Sequence, residues 1–237
     1  MTTPDIDEPT LALINEIVEH FKSNQKTASV FADQVQSAIS GSSALGELIH
    51  SVKWRVKDPE HLRDKLNRKA AEAKRKGLSF EITKANLFNK VNDLAGMRLL
   101  HLHTRQMEKI HKALLDIFEE YQYRLYEPPF ARTWDDEYRS FFKSIGLETR
   151  ESPSLYTSVH YVIEANTKSK ITGEIQVRTL AEELWGEVDH TINYPHESKI
   201  LACKEQIKVL ARVTSSCTRL VDSIFRTHSA EPDENGR

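Results

Sequence analysis

The feature that most constrains the fold is the stretch 173–190, where the spacing of apolar residues changes from a strand pattern to a helix pattern. Apolar residues alternate with Glu174, Gln176 and Arg178, so these three side chains share one face of the predicted strand. A carboxylate, an amide and a guanidinium together are costly in a hydrophobic core and suit a cleft that binds a charged ligand. The same spacing also fits a strand at the rim of a domain whose polar face is simply solvated.

A helix is predicted directly after this strand, from Thr179 onwards. Its apolar residues recur at helical spacing, and we expect that stripe to face the core. The stripe comprises Leu180, Leu184, Val188 and Ile192, with Trp185 beside it.

Length and charge limit the classes of protein that fit. A chain of 237 residues with 39% hydrophobic residues suits one globular α/β domain with helical additions, although two small domains are possible. The 33 basic and 35 acidic residues give a net charge of −2. The chain as a whole therefore lacks the excess of positive charge that is typical of proteins that bind polyanions. The charge is uneven, however, and the strongly basic stretch 53–76 could meet phosphate groups.

The sequence also bears on location. No apolar run approaches the length of a membrane span, and the acidic N-terminus lacks an apolar signal region, so we expect a cytoplasmic protein with no membrane partner. Cys203 and Cys217 stand fourteen positions apart in one predicted helix, which cannot bring them together. They predict neither a disulfide framework nor a metal motif.

A basic segment leads into a second predicted helix. Asp58 followed by Pro59 is a typical helix start, with a capping side chain and proline at the first helical position. A ladder of cations near a helix N-terminus could cradle a polyphosphate. A solvated helical face is the alternative, since runs of charge usually face water. The candidate cations are Arg55, Lys57, Lys65 and Arg68.

An acidic and a basic residue accompany the next predicted strand, residues 97–102. Asp93 lies at the strand entrance, where a carboxylate could hold a divalent cation. Arg98 is a charge within an otherwise apolar run, and such a charge usually has a partner or a ligand.

Residues 156–164 predict another strand, with Tyr156, Ser158 and His160 on one face. An aromatic ring, a hydroxyl and an imidazole could stack on a base and hydrogen-bond a sugar or a phosphate. The same pattern fits an amphipathic edge strand. Upstream, the polar and aromatic residues 130–151 predict a short helix within a mobile loop beside the site.

Taken in order, these motifs resemble the RelA/SpoT nucleotide pyrophosphokinase (alarmone synthetase) domain over about residues 45–195. Because it lacks accessory domains, the chain is similar to the small alarmone synthetases. Trp185 and His190 match the helix that follows the last motif. The basic motif of the family is matched by Arg55, Lys57, Lys65 and Arg68, its Asp-Leu-x-Gly-x-Arg by Asp93, Gly96 and Arg98, its Tyr-x-Ser-x-His by Tyr156, Ser158 and His160, and its Glu-Ile-Gln-x-Arg-Thr by Glu174, Gln176 and Arg178.

The resemblance implies a fold and a division of the chain. The expected fold is α/β (α+β), a mixed β-sheet flanked by helices and related to nucleotidyltransferases. Residues 1–44 would form an N-terminal helical segment, 45–197 the synthetase domain and 198–228 a C-terminal helix. Residues 229–237 predict a disordered tail by composition.

The resemblance also implies an activity, the transfer of pyrophosphate from ATP to the 3′-hydroxyl of GDP or GTP to give (p)ppGpp. Asp93 would bind Mg²⁺, and Glu174 would act as general base or as a second metal ligand. The ATP phosphates would be held by Arg55, Lys57, Lys65, Arg68 and Arg98. Around the acceptor nucleotide the resemblance places Tyr156, Ser158, His160, Gln176 and Arg178.

Three positions depart from the usual family pattern and leave the acceptor open. His61 replaces a serine, Leu155 replaces the glycine before the tyrosine, and Pro195 replaces a lysine after Tyr194. One alternative is therefore a toxic small synthetase that modifies the 3′ end of tRNA or an adenine nucleotide. Another, a catalytically silent nucleotide-binding regulator, is disfavoured because both motif carboxylates are present.

Two further expectations follow from the resemblance. No His-Asp dipeptide occurs, so we expect synthesis without a hydrolase domain. Family members often form oligomers through their terminal helices, and the apolar stripe between 200 and 224 is compatible with a homo-oligomer or with closure of the core.

Overall fold

A computed structural model describes residues 6–166, 170–194 and 197–230. In this part of the chain, a seven-stranded sheet carries helices on both faces. The strands are β1 (Ser51–Val56), β2 (Ala95–His101), β3 (Arg124–Leu125), β4 (Phe130–Thr133), β5 (Glu148–Glu151), β6 (Ser158–Glu164) and β7 (Thr172–Thr179). The helices are α1 (Glu8–Ser40), α2 (Ser43–Gly46), α3 (Pro59–Arg75), α4 (Leu87–Lys90), α5 (Met107–Glu120), α6 (Asp136–Ser144), α7 (Leu180–Asn193) and α8 (Leu201–Ala230).

The sheet is mixed, as predicted. Its order is β1-β2-β7-β6-β4-β5, and β3 pairs with β6. The pairs β2–β7 and β4–β5 are parallel, and the other pairs are antiparallel. The predicted fold class is therefore confirmed, whereas the domain boundaries stay a prediction.

The main hydrophobic core lies between one face of the sheet and helices α1, α3 and α5. Ile175 and Val177 of β7 face this core, so the alternate polar residues of β7 lie on the opposite face, here called the site face. Helix α1 packs so closely on β7 that a Cβ added to Gly173 would lie 2.6 Å from the ring of Phe31. This packing fixes the sheet whose other face carries the predicted site.

The predicted start of α3 is confirmed. Asp58 is its N-cap, and its Oδ1 accepts hydrogen bonds from the backbone N–H groups of Glu60 and His61 at 2.9 and 3.2 Å. Pro59 occupies the first helical position, where its missing N–H costs nothing. The helix therefore begins two residues after Lys57, the cation that directly follows β1.

The prediction of a mobile loop over residues 130–151 is wrong, although the short helix exists. Strands β4 and β5 flank α6 and extend the sheet beyond β6. The reason is packing, because Tyr138 and Phe142 of α6 are buried in the core region. The aromatic residues of this segment thus belong to a folded element.

The predicted inward stripe of α7 is also wrong. Leu184 and Ile192 are 58% and 42% exposed, whereas Glu182, Glu183 and Trp185 are buried. The helix lies over the polar site face of the sheet, so the positions that point inward carry carboxylates rather than leucines. Trp185 packs with Ile207 and Ala211 of α8 in a second, smaller hydrophobic cluster.

The terminal predictions have mixed outcomes. Helix α8 extends through Ala230, two residues into the predicted tail of 229–237, and residues 231–237 lie outside the described part, so the tail stays a prediction. Pro195 also lies outside it. Cys203 and Cys217 are free thiols, as expected. Among the described helices, none is long and apolar enough to cross a membrane.

Candidate active site

The register of the sheet aligns polar side chains from several strands on the site face. Lys53 of β1 pairs with Arg98 of β2, Arg98 with Gln176 of β7, and Gln176 with His160 of β6. In a neighbouring row, Arg55 and Glu174 both pair with Gly96. Four strands therefore present charged and polar groups to one surface.

An open cleft of about 670 Å³ lies along this surface. It is lined by residues of β1, the entrance to β2, β2 itself and β7. The charged, polar and aromatic lining residues are Lys53, Trp54, Arg55, Asp93, Arg98, Glu174 and Gln176. We call the side with Asp93, Lys53, Arg55, Lys57, Lys65, Arg68 and Arg98 the cation half, and the side with Glu174, Tyr156, Ser158 and His160 the histidine half.

In the cation half, two lysines hold Asp93. Lys57 Nζ lies 2.7 Å from Oδ2, and Lys65 Nζ lies 2.7 Å from Oδ1. Burial opposes ionisation of Asp93, but the charges and hydrogen bonds of Lys65 and Lys57 outweigh it and lower the pKa of Asp93 to about 2. At neutral pH this carboxylate is therefore ionised, with a cation on each oxygen.

In the histidine half, a chain of short hydrogen bonds ends at Glu174. Glu174 Oε1 lies 2.7 Å from Nδ1 of His160, and Nε2 of His160 lies 2.7 Å from Oγ of Ser158. A carboxylate only accepts, so Nδ1 donates to Glu174, and in the neutral ring Nε2 accepts from the serine hydroxyl. Phe130 of β4 stacks on the imidazole, with ring centroids 4.9 Å apart. Both the ring nitrogens and the ring face of His160 are thus occupied.

Arg98 is held by helix α7. Its NH1 lies 2.6 Å from Oε1 of Glu187 and 3.3 Å from Oε1 of Glu183. Lys53 Nζ also reaches Glu183, at 2.9 Å. Arg178 lies buried beneath α7 and forms an ion pair with the same Glu183. Of the two expectations for Arg98, a partner or a ligand, the structure shows partners.

Tyr156 lies at the outer end of the histidine half, just before β6. Its ring is nearly parallel to that of Trp185, with centroids 6.0 Å apart. Leu155 before it has φ +62°, a left-handed conformation that is unusual for a bulky residue. A glycine would adopt this backbone without strain.

Comparison with known protein families decides the relationship. Residues 54–199, more than half of the chain, match the model described as "Region found in RelA / SpoT proteins". The chain belongs to this family. Among curated protein sequences, none matches significantly.

Solved structures of similar fold agree with this RelA/SpoT membership. A GTP pyrophosphokinase family protein from Streptococcus pneumoniae is 22% identical, with a TM-score of 0.58, over 87% of this chain and 91% of its own. The small alarmone synthetase 1 of Bacillus subtilis, bound to its product pppGpp, is 19% identical, with a TM-score of 0.59, over 89% of this chain and 97% of its own. At these identities the likeness concerns the fold.

Most of the predicted RelA/SpoT motif residues come together. Six of them line the cleft, and Lys57, Lys65 and His160 contact its two carboxylates. Others lie further out. Arg68 packs its guanidinium 5.5 Å from the ring centroid of Tyr194 at the end of α7, and Ser158 and Arg178 are buried. The predicted contacts of these three residues with a ligand stay predictions.

Sequence reasoning missed several residues of this RelA/SpoT site. Lys53 stands two positions before Arg55 on β1, so strand alternation alone could have placed it on the same face. Trp54 lines the cleft and is 40% exposed. Glu183 carried no local signal, because nothing in a helix pattern indicates which cations from distant strands a buried carboxylate will meet.

Proposed function

We propose that this chain is a pyrophosphokinase that transfers the β,γ-pyrophosphate of ATP to the 3′-hydroxyl of GDP or GTP, giving (p)ppGpp and AMP. The observation that carries the proposal is the pair of carboxylates in one cleft, Asp93 between two lysines and Glu174 on an imidazole. Both lie within the region 54–199 that matches the RelA/SpoT family model. The descriptions of the two structural neighbours, which concern a GTP pyrophosphokinase family and pppGpp as product, support the same reaction.

The donor set of the cleft fits Mg²⁺ as cofactor. Carboxylate oxygens of Asp93 and Glu174 are the hard ligands that Mg²⁺ prefers, and Mg²⁺ is commonly held by one or two carboxylates together with substrate phosphates. Among the described residues, no group of three or more His, Cys, Asp and Glu side chains could hold a metal alone. When bound, the ion would neutralise charge on the transferred phosphates.

The cation half would bind the ATP phosphates. In the absence of nucleotide, Lys57 and Lys65 are paired with Asp93, and Arg98 with Glu187. Phosphate oxygens can replace these carboxylates one for one, so the cations can turn to the nucleotide without being left unpaired. Together with Arg55 and Arg68 they would stabilise the charge of the transition state, where phosphoryl-type transfer gains most of its rate.

The histidine half would activate the acceptor. Glu174 has one oxygen held by His160, and its second oxygen would take the proton from the 3′-hydroxyl. The face of the Tyr156 ring opposite Trp185 would stack on the acceptor base. Gln176 would hydrogen-bond the acceptor, and we retain direct contacts of Ser158, His160 and Arg178 with the acceptor as predictions.

One labelled assay tests the reaction and its alternatives. Purified protein with Mg²⁺ and γ-³²P-ATP is offered GDP, GTP, AMP and deacylated tRNA in parallel. Label on GDP or GTP supports the proposal, and label only on tRNA or on an adenine nucleotide would move the chain to the toxic-synthetase alternative. No label on any acceptor would favour a silent regulator. The assay includes AMP and tRNA because Leu155, with its left-handed backbone, replaces the usual glycine of the family beside the proposed acceptor site.

Matched variants test the assigned roles. Asp93→Asn and Glu174→Gln should each lower kcat by about 10³-fold, the scale of a lost metal ligand or general base. Chelation of Mg²⁺ should stop the reaction. Glu72→Gln is the control, because Glu72 is an exposed partner of Lys76 on α3. Near-full activity of either cleft variant would contradict the roles assigned here.

The same family membership supports two further proposals. Along α8, Val209, Val213, Leu220 and Ile224 are each more than half exposed, and this apolar stripe supports a homo-oligomer. Sedimentation velocity should then show a species larger than a monomer, and Val213→Glu should dissociate it. A monomer at all concentrations would contradict this. The proposed substrates also support a cytoplasmic location, which fluorescence microscopy of a tagged chain would test.

A further inference from the structure

We infer that the first turn of α7 positions the two halves of the cleft separately, through two neighbouring buried carboxylates. Glu183 fixes the cations that serve ATP, and Glu182 fixes the backbone that carries the acceptor residues. Both are positioning residues, and neither belongs to the motif residues assigned above. The inference rests on the proposed function for the names of the two ligands.

Glu183 joins cations from three strands. Its carboxylate is buried and meets Lys53 of β1 at 2.9 Å, Arg98 of β2 at 3.3 Å and Arg178 of β7 in an ion pair. Lys53 and Arg98 both line the cleft. Glu183 and Glu187 bring two negative charges to three positive charges, so the cluster keeps a positive potential toward the cleft while its geometry is fixed.

Arg178 connects this cluster to the backbone of α7. A Cβ added to Gly186 would lie 2.5 Å from NH1 of Arg178, so the helix backbone packs directly on the guanidinium. Burial is the main influence on Arg178 and lowers its pKa, while Glu183 acts in the opposite direction. The guanidinium therefore has a fixed place between the sheet and the helix, and Glu183 is its charged partner there.

Glu182 serves the other half. Its Oε2 accepts a hydrogen bond of 3.0 Å from the backbone N–H of Thr157, which stands between Tyr156 and Ser158. Thr179 caps the helix at this point by accepting from the N–H of Glu182 at 3.2 Å. The hydroxyl of Thr157 also pairs with that of Thr133, at 3.1 Å. The entrance to β6 is thus tied to α7 by one buried carboxylate.

Direct binding measurements separate this inference from a general effect on folding. Titration calorimetry with α,β-methylene-ATP and, separately, with GDP is carried out on the full chain in Mg²⁺ buffer, with thermal unfolding as the check on folding. Glu183→Gln should weaken binding of the ATP analogue about tenfold, because Lys53 and Arg98 must then be ordered during binding. It should change GDP binding less than threefold. Glu72→Gln is the control, since Glu72 is an exposed partner of Lys76 and does not line the cleft, and it should change both affinities less than threefold.

The Glu182 variants should give the reverse result. Glu182→Ala should weaken GDP binding about tenfold and leave the ATP analogue within threefold. Glu182→Gln should restore GDP binding, because its amide oxygen can accept from Thr157. Equal losses of both ligands in Glu183→Gln or Glu182→Ala, or no rescue by glutamine, would overturn the inference.

The outcome also separates the inference from the proposed function. If the Glu183 and Glu182 variants have the expected opposite effects on binding of the ATP analogue and GDP, but the wild-type chain transfers no label, the proposed function alone is overturned. If the wild-type chain is active and the variants lack these opposite effects, the inference alone is overturned. A wild-type chain that binds neither nucleotide would overturn both.

Discussion

The cation half and the histidine half of the cleft hold their charges by different means. Asp93 and Lys65 are partly open to solvent, whereas Lys57 is buried, and the ion pairs of Asp93 with these lysines can be exchanged for contacts with phosphate. Ser158 and His160 are buried, and their hydrogen bonds to each other and to Glu174 leave the imidazole no free nitrogen. The first arrangement is ready for ligand exchange, and the second is already fixed before a ligand arrives.

This difference teaches how one sheet face can serve two substrates. A polyphosphate brings its own charge, so the cations that meet it need partners that can be displaced. A neutral hydroxyl brings none, so the base that meets it must be oriented in advance. The following changes test whether the two halves differ in this way.

The largest expected effect concerns Glu182, on the side of the histidine half. Burial raises its pKa to about 7, against the hydrogen bond from Thr157 and the charge of Arg178, while Asp135 adds to the rise. The folded state then binds the proton more tightly than the unfolded state, so stability falls as pH rises from about 4.5 to about 7. Urea unfolding of Glu182→Gln should lack this loss, with a difference of up to about 3 kcal/mol. If the free energy of unfolding changes with pH in the same way in wild type and variant, the raised pKa of Glu182 is contradicted.

The opposite sign is expected for Asp93 in the cation half. Its folded pKa of about 2 lies below its ordinary value of 3.8, so its contribution to stability is present above pH 4 and is lost as pH falls toward 2. Asp93→Asn should therefore lower the free energy of unfolding by about 2 kcal/mol at pH 6 and by much less near pH 2. A deficit that is equal at both pH values would mean that packing, not charge, is lost.

An effect of similar size tests the fixed orientation of Glu174. His160→Phe keeps a ring on Phe130 but removes both hydrogen bonds, and kcat should fall about 30-fold, or about 2 kcal/mol. His160→Asn should recover part of this rate, because its amide nitrogen can donate to Glu174 in place of Nδ1. The Michaelis constant for ATP should change little in either variant. Equal rates for the two variants would exclude the hydrogen bond as the cause.

The smallest effect concerns the loop before Tyr156. Leu155 has a left-handed backbone, so Leu155→Val should destabilise the chain by about 1 kcal/mol more than Leu155→Gly, because a β-branched residue tolerates this conformation worst. Chemical unfolding of the pair measures the difference. If valine is the better tolerated residue, the left-handed conformation at this position is wrong.

Sequence reasoning succeeded where local spacing decides the structure. The capped start of α3 at Asp58 and the alternation of Glu174, Gln176 and Arg178 both follow from neighbours within a few residues. It failed for α7, where a helix pattern favoured Leu184 and Ile192 as core residues. The face that a helix buries depends on what lies beneath it, and here that is Arg98 and Arg178.

The sequence by itself determined the order of the motifs, the family, the mixed sheet and the residue types that face the cleft. Only the tertiary structure decided which of those residues remain open to a ligand. His160 and Arg178 carry the same local pattern as Gln176, yet they are buried beside Phe130 and beneath α7. The physical reason is that exposure and charge pairing depend on contacts between distant segments, such as Glu183 with Lys53, which no local spacing contains.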